Sequence, residues 1–153
     1  MRIQVRRLVE PRFSRQPFAG IGPRLVGSRW TRPGRAVVYT ASTTSLALLE
    51  VLVRVGAPPL PRYTVYAASF DERLVSDVDV AALPPSWRSS PGPAALQAIG
   101  TAWLDSRRTP VLRVPSAVVP EESNYLLDPA HPNFPAIEIG EPRPLDLDPR
   151  LMK

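Results

Sequence analysis

Short apolar runs separated by proline and glycine dominate the hydrophobic pattern of this chain. Runs of β-branched and aromatic residues beside proline-containing turns are typical of short strands. Two longer segments carry apolar residues at helical spacing and predict helices. Strands are predicted at 3–9, 37–39, 63–67, 74–75 and 111–114, and helices at 45–55 and 93–106.

The helix at 45–55 has the clearest signals at both ends. Ser42, Thr43 and Thr44 are candidate N-caps, and Gly56 and Pro58-Pro59 end the segment. Apolar side chains occupy nearly every face, so we expect the helix to be buried on most sides.

Four other segments show no clear periodicity of apolar residues. Residues 12–27, rich in glycine, proline and arginine, predict an irregular loop, and 116–119 continue the preceding strand in extended form. Residues 124–129 lead into a proline-punctuated segment that ends near 137–139. We expect 140–153 to form a loose C-terminal tail or an edge extension.

The length of 153 residues fits one domain over 1–153, with a sizeable core. No cysteine is present, which excludes disulfides and a thiol nucleophile. No apolar stretch reaches the roughly 18 residues of a membrane helix, and the amino terminus is charged throughout, so the expected location is the cytoplasm, with no membrane contact.

The net charge of +5 comes almost entirely from arginine, which suits phosphate and carboxylate ligands. The arginines are scattered along the chain, which argues against a dedicated nucleic-acid module. One histidine, His131, and no carboxylate cluster make a metal site improbable. Neither a G-x-S-x-G motif nor a complete dinucleotide fingerprint is present.

Arg29 and Tyr39 are the first candidates for chemistry. Arg29 follows the turn residues Gly27-Ser28, from which its side chain can reach a phosphate or a ribose, or else lie on the surface against Trp30. Tyr39 closes a predicted strand and is either part of a site or a core residue whose hydroxyl is satisfied by a neighbour.

Glu50 and Ser116 are the second pair of candidates. Glu50 is the only charged residue from Leu46 to Val53, so its carboxylate either points at a cleft or pairs with Arg54 one turn later. Ser116 follows Pro115 at the end of a strand, where serine is most often a turn or cap residue.

Several segments together resemble the RES domain family, which is named for its arginine, glutamate and serine. Those residues match Arg29, Glu50 and Ser116. The resembling segments are Gly27-Ser28-Arg29-Trp30, the 37–40 strand, the 46–52 helix, 100–104, 114–122 and 124–132. In order, they cover nearly the whole chain.

The resemblance implies the toxin of a bacterial type II toxin–antitoxin pair. It implies a compact α+β domain similar to ADP-ribosyltransferases, with a mixed β core and flanking helices. NAD is then the substrate, and it is degraded by phosphorolysis or hydrolysis. Phosphorolysis uses inorganic phosphate as the co-substrate. The resemblance implies no prosthetic group. In the alternative, the toxin ADP-ribosylates a host protein. The implied partner is an Xre-like helical antitoxin that blocks the active site, so any DNA contact is indirect.

The same resemblance assigns roles to the candidates. Glu50 stabilises the transition state of nicotinamide release, Arg29 clamps the diphosphate or orients the ribose, and Tyr39 flanks the nicotinamide. Ser116 bonds the ligand or holds Glu50, and Asn124 joins Arg29, Tyr39 and Ser116 as an NAD-binding residue.

Arg7 or Arg32 is the candidate for holding a phosphate nucleophile. Two positions depart from the family pattern: Asp128 stands where asparagine is common, and Arg6 where an aromatic residue is frequent. A third interpretation, from a different class, is a non-catalytic protein whose arginines bind an acidic partner or nucleic acid; it predicts steeply salt-dependent binding without NAD turnover.

Overall fold

A single mixed sheet of eight strands forms the centre of the protein. We describe it from a computed structural model, which covers residues 1–55 and 60–152; the helix stop predicted at Gly56 and Pro58-Pro59 lies outside the described residues. The spatial order of the strands is β4-β5-β6-β2-β1-β3-β7, and β8 also pairs with β3. The strands are β1 (Arg2–Val9), β2 (Val38–Ala41), β3 (Thr64–Asp71), β4 (Val75–Asp77), β5 (Val111–Pro115), β6 (Ser123–Leu127), β7 (Glu138–Ile139) and β8 (Arg143–Pro144).

The sheet opens between its two central strands. β1 pairs with β3 along its whole length, from Arg2 opposite Asp71 to Val9 opposite Thr64. In contrast, β1 meets β2 at one position only, Arg6 opposite Ala41, while β2 pairs with β6 over all four of its residues. The two halves of the sheet therefore diverge beyond that position. The gap between them forms a cleft, and β1 and β2 are two of its walls.

Within residues 1–55 and 60–152, three α-helices accompany the sheet: α1 (Ile21–Val26), α2 (Thr44–Val55) and α3 (Ala94–Ser106). The prediction of α2 and α3 is confirmed within two residues at each end, and the Thr43 hydroxyl accepts a hydrogen bond of 3.1 Å from the Leu46 amide. The prediction that α2 is buried on most sides is wrong. It buries Leu46, Ala47 and Val51, but Val53 is 69% exposed and Leu49 43% exposed.

The prediction of an irregular loop over 12–27 is wrong in part, because this segment contains α1. Pro23 lies in the first turn of that helix, where the backbone amide needs no intrahelical partner, so the ring does not prevent helix formation. Gly20 precedes α1 with φ of 67°, and a Cβ there would lie 2.6 Å from the Val37 amide nitrogen. The chain passes this close to β2 because position 20 is glycine.

Two further predictions need correction. Residues 116–119 do not continue β5 in extended form, because the chain turns there and returns as β6. The sequence pattern did not predict β6, although its side chains from Asn124 to Leu127 are buried. In the C-terminal segment, Arg143 and Pro144 pair with β3, so this part of the predicted tail is an edge extension.

Two main apolar clusters fill the two faces of the sheet. One gathers around Val5, Val9, Phe70 and Leu127, and the other packs Trp30 and Leu112 against α3. The predicted α+β class with a mixed β core is confirmed, since β4 and β5 are parallel while the other paired strands are antiparallel. In the described part of the chain, none of the helices is long and apolar enough to cross a membrane.

Candidate active site

The opening between β1 and β2 holds a cavity of about 600 Å³. This volume lies within the range of roughly 300–1,000 Å³ that is usual for small-molecule and cofactor sites. β1, β2, α1 and α2 all contribute to its walls. Of the predicted site residues, Arg29, Tyr39, Glu50 and Asn124 line the cavity, as does Arg7.

Glu50 is held by Asn124 and not by the arginine one turn along its helix. The Asn124 side-chain amide donates a hydrogen bond of 2.7 Å to Glu50 Oε1 and a second of 3.2 Å to the Thr40 carbonyl. Arg54 makes no ion pair with Glu50 within the described ranges. Of the two alternatives for Glu50, the structure therefore favours a carboxylate that faces a cleft.

Burial raises the pKa of the Glu50 carboxyl, while the hydrogen bond from Asn124 and the charges of Arg54 and Arg29 act in the opposite direction. The folded protein therefore holds a proton on Glu50 more tightly than the unfolded chain does. Stability is lost as the pH rises from the ordinary glutamate range through the raised pKa of the folded state. Above that raised pKa, the free energy of unfolding is lowered by the full amount.

Glu50→Gln should consequently stabilise the protein at neutral pH. Glutamine keeps the oxygen that accepts from Asn124 but removes the half-buried charge, so we expect a melting temperature about 2–4 °C higher at pH 7. The difference should disappear near pH ~3, below the ordinary pKa of glutamate, where Glu50 is protonated in the folded and the unfolded state. Thermal melts at both pH values test this, with Glu138→Gln, an exposed carboxylate on β7, as the control. An equal gain at both pH values would contradict the charge-based explanation.

Tyr39 anchors the turn that carries Arg29. The Tyr39 hydroxyl shares a hydrogen bond of 2.6 Å with the Ser28 hydroxyl and accepts one of 3.2 Å from the Trp30 amide. Burial raises the pKa of Tyr39 to about 12, so the phenol stays protonated at neutral pH. Both alternatives considered for Tyr39 therefore apply. Its hydroxyl is hydrogen-bonded to neighbouring residues, and its side chain also lines the cleft.

Arg29 is fixed by backbone carbonyls from the segment before α3. Its Nη1 donates to the carbonyls of Trp87 (2.9 Å) and Ser89 (2.8 Å). Trp30 itself is buried in the core, with 2% of its surface exposed. Arg29 is therefore partly buried at the cleft wall and held in one orientation, which is the preorganisation that binding an anion requires.

Arg7 crosses the opening between the two halves of the sheet. Its Nε donates to the Pro17 carbonyl (2.8 Å) and its Nη1 to the Tyr39 carbonyl (2.9 Å). Burial, followed by the charge of Arg54, lowers the pKa of Arg7 to about 10, so it remains a cation at neutral pH. Arg32, the other residue considered for a phosphate, is exposed outside the cavity, and its backbone amide donates to Thr101.

Ser116 lies apart from these residues. It is fully buried and is not among the residues that line the cavity. Its hydroxyl accepts hydrogen bonds of 3.1 Å from the amides of Val118 and Val119, which is the turn role that its position after Pro115 indicates. Of the two roles that the resemblance implied for Ser116, holding Glu50 falls to Asn124 in this structure.

Asp128 and His131, the two other polar residues singled out in the sequence, lie outside the cavity. Asp128 is buried and accepts a hydrogen bond from the Ala130 amide, and His131 bonds the Arg107 carbonyl through Nε2 and the Asn133 amide through Nδ1. Both stabilise the loop after β6. Across residues 1–55 and 60–152, no three histidine or carboxylate side chains are grouped to hold a metal ion.

The electrostatics of the cavity favour an anionic ligand. Among the described residues, five arginines line it, namely Arg6, Arg7, Arg12, Arg29 and Arg54, against the two carboxylates of Glu10 and Glu50. Glu10 is paired with Arg12 at 2.8 Å. The surplus of guanidinium groups around one half-buried carboxylate defines the class: a one-domain α+β protein with a cleft whose charge suits an anionic ligand.

Comparison with known proteins identifies the family. The sequence profile of the RES domain matches residues 4–148. The "Prs ADP-ribosylating toxin" of Sphingobium sp. is 38% identical over 146 residues, which cover 92% of this chain and 90% of that protein. "Toxin Res" of Yersinia enterocolitica is 35% identical over 147 residues, covering 95% and 97% of the two chains. The chain belongs to the RES domain family and is a bacterial toxin of the RES type.

A solved structure shows the same fold. The toxin–antitoxin complex MbcT–MbcA of M. tuberculosis contains a chain that superposes with a TM-score of 0.79, covering 99% of this chain and 87% of that one. The two sequences are only 17% identical, so this comparison supports the architecture alone.

Proposed function

We propose that this toxin binds NAD in the cleft between β1 and β2 and breaks the bond between nicotinamide and ribose. The observation that carries the proposal is the Glu50 carboxylate, held by Asn124 inside an arginine-lined cavity. NAD presents a diphosphate to the arginines and a ribose to the carboxylate. The site therefore matches both chemical features of the ligand.

The chemical step requires stabilisation of positive charge. As the bond from C1′ of the ribose to nicotinamide breaks, its electron pair leaves with the neutral nicotinamide, and the sugar acquires oxocarbenium character. A carboxylate beside the ribose stabilises that charge or holds a ribose hydroxyl. Glu50 fills this role only in its ionised form, so activity should fall as the pH drops through its pKa.

The arginines and Tyr39 orient the substrate in this proposal. Arg7 and Arg29 hold the diphosphate, and the ring of Tyr39 flanks the nicotinamide. Fixed hydrogen bonds to carbonyls keep both arginines in place before the ligand arrives. Little side-chain entropy is then lost on binding.

The acceptor of ADP-ribose distinguishes two versions of the proposal. In the first, a phosphate oxygen or water attacks C1′, and the toxin depletes NAD. In the second, a protein side chain attacks and loses its proton. The name of the Sphingobium relative, an ADP-ribosylating toxin with 38% identity, favours the second version.

Product analysis separates the two versions. Purified protein is incubated with NAD labelled in the adenylate half, in the presence or absence of phosphate and of bacterial lysate. Phosphorolysis requires phosphate and gives a phosphorylated ADP-ribose, hydrolysis gives free ADP-ribose, and transfer labels a discrete protein band. Nicotinamide accompanies each product, and its absence from every reaction would contradict the proposal.

We also infer that an antitoxin covers the cleft. The structural neighbour was solved as a toxin–antitoxin complex, and the inference extends that arrangement to this chain. An Xre-like helical protein is the partner that the sequence resemblance implies. Co-expression with the neighbouring reading frame should yield a stable complex that releases no nicotinamide.

The contact between Asn124 and Glu50 leads to a prediction about pH. The hydrogen bond from Asn124 lowers the pKa of Glu50, so its removal in Asn124→Ala should raise that pKa further. In the pH profile of kcat for nicotinamide release, the fall in activity on the acidic side should then occur at a higher pH. Asn133→Ala, an exposed asparagine outside the cavity, is the control and should leave the limb in place. An unmoved limb in Asn124→Ala would show that Asn124 does not tune Glu50.

A further inference from the structure

Arg54 lines the cavity but has no role in the reaction proposed above. It lies on α2 one helical turn after Glu50, so the two side chains share one face of the helix, and both contribute to the cavity wall. Arg54 is exposed. A cation beside the carboxylate that acts on the ligand is placed to contact the same ligand.

The other arginines of the cavity are already engaged by the protein. Each donates at least one hydrogen bond to a protein oxygen, and they are Arg6, Arg7, Arg12 and Arg29. Among residues 1–55 and 60–152, the Arg54 guanidinium has no such bond and no ion pair. Arg54 therefore keeps its donors for a ligand and is free to reorient toward it.

The charge of Arg54 acts on two groups of the cavity. Burial raises the pKa of Glu50, and the hydrogen bond from Asn124 and the charge of Arg54 oppose that rise. Burial, followed by the charge of Arg54, lowers the pKa of Arg7 to about 10. Arg54 thus lies near both groups, and it repels Arg7, which has no carboxylate partner in the described part of the chain. An anion between the two guanidinium groups would offset their repulsion.

The position of Arg54 on α2 indicates which anionic group it reaches. In the proposed reaction, Glu50 faces the ribose that loses nicotinamide. The phosphate on the 5′ oxygen of that ribose is the anionic group of NAD nearest to the breaking bond. Side chains one turn apart on a helix have Cβ atoms ~5–6 Å from each other, so the long side chain of Arg54 can reach this phosphate while Glu50 contacts the ribose.

We propose that Arg54, together with Arg7, binds the phosphate of the nucleotide half that is cleaved. This inference rests on the proposed function, since it names a further contact to the same ligand. Arg29 then holds the other phosphate. Arg7 and Arg29 are oriented before the ligand arrives, whereas Arg54 turns toward it and completes the anion site. Arg54 contributes to affinity and leaves bond cleavage to Glu50.

Two ligands that differ only by this phosphate test the assignment. Nicotinamide mononucleotide carries the phosphate, and nicotinamide riboside lacks it. In calorimetric titrations, the wild type should bind the mononucleotide more tightly than the riboside. Arg54→Gln should reduce that preference about tenfold, the usual effect of losing a hydrogen bond between charged groups. The affinity for the riboside should stay unchanged, because it has no phosphate for Arg54 to bind.

Arg108→Gln is the matched control. It removes the same charge from an exposed arginine after α3, outside the cavity. This variant should keep the wild-type preference for the mononucleotide, which separates a local contact from the effect of net charge. Both substitutions are at exposed positions, so melting curves without ligand should lie within about 2 °C of the wild type and show that the variants are folded.

Three results would each overturn the role of Arg54, even if NAD is cleaved. They are an unchanged preference in Arg54→Gln, an equal loss of preference in Arg108→Gln, and a wild type that binds both ligands equally. Failure of the proposed function looks different: the preference for the mononucleotide then still depends on Arg54, but no nicotinamide is released from NAD.

Discussion

Glu50→Gln is expected to lower kcat for nicotinamide release by about 10²–10³-fold, the usual loss when one preorganised electrostatic contact to a transition state is removed. Glutamine retains the oxygen that accepts from Asn124 at 2.7 Å, so the position of the side chain is kept while its charge is lost. Because the charge acts on the transition state, KM for NAD should change far less than kcat.

Steady-state kinetics of nicotinamide release measure this effect. Glu138→Gln, which removes an exposed carboxylate on β7, should behave like the wild type. The stability measurements above show whether Glu50→Gln is folded, since the variant should melt at a higher temperature than the wild type at neutral pH. A folded Glu50→Gln with wild-type kcat would remove Glu50 from the mechanism.

Gly100→Ala should cause the largest loss of stability. A Cβ at position 100 of α3 would lie 1.8 Å from the Trp30 carbonyl oxygen and 3.2 Å from Thr31 Cγ2. Alanine favours the helix by up to about 1 kcal/mol, but the overlap forces α3 and the turn that carries Arg29 apart. We expect a net destabilisation of about 3 kcal/mol and a higher KM for NAD.

Urea unfolding measures the change, with Gly22→Ala as the matched control. Gly22 lies in α1, and a Cβ there would meet no heavy atom within 4 Å, so alanine should be neutral or slightly stabilising. If Gly100→Ala unfolds at the wild-type urea concentration, then α3 does not pack closely on the turn.

The pattern of apolar residues predicted the elements whose signals are local. The helix that carries Glu50 was predicted because Thr43 and Thr44 precede a run of apolar residues, and its isolated carboxylate marked a cleft or an ion pair. The pattern overestimated its burial, since apolar content does not show which face meets the sheet. Leu49 and Val53 are exposed because α2 packs on the sheet through Leu46, Ala47 and Val51.

The geometry of the cleft depends on contacts that the sequence pattern does not contain. Asn124 reaches Glu50 across 74 residues, and it was assigned to the site only through the family resemblance. Arg7 was considered only as a phosphate ligand, because β1 also carries Arg2 and Arg6 and the sequence does not show which of the three lies in the opening. Strand pairing decides these contacts, because β1 leaves β2 after a single paired position.

The turn role of Ser116 is the one that its position after Pro115 favoured, whereas its NAD-binding role came from the family resemblance. Its hydroxyl caps the amides of Val118 and Val119, which shapes the return into β6 and so places Asn124. In this structure Ser116 acts on the site through the backbone. Direct contact between Ser116 and NAD stays a prediction.

The non-catalytic interpretation makes a different set of predictions. An arginine-rich binding protein would lose affinity for an acidic partner steeply with salt, and Glu50 would be irrelevant. The observed contacts argue for a more specific site, because Arg7 and Arg29 are held by fixed carbonyls and are not mobile surface cations.

Nicotinamide release from NAD by the purified wild-type toxin, followed by chromatography with phosphate and lysate both supplied, tests the central claim most directly. We predict time-dependent release of nicotinamide that is proportional to the toxin concentration. Intact NAD after prolonged incubation with folded toxin would contradict the account.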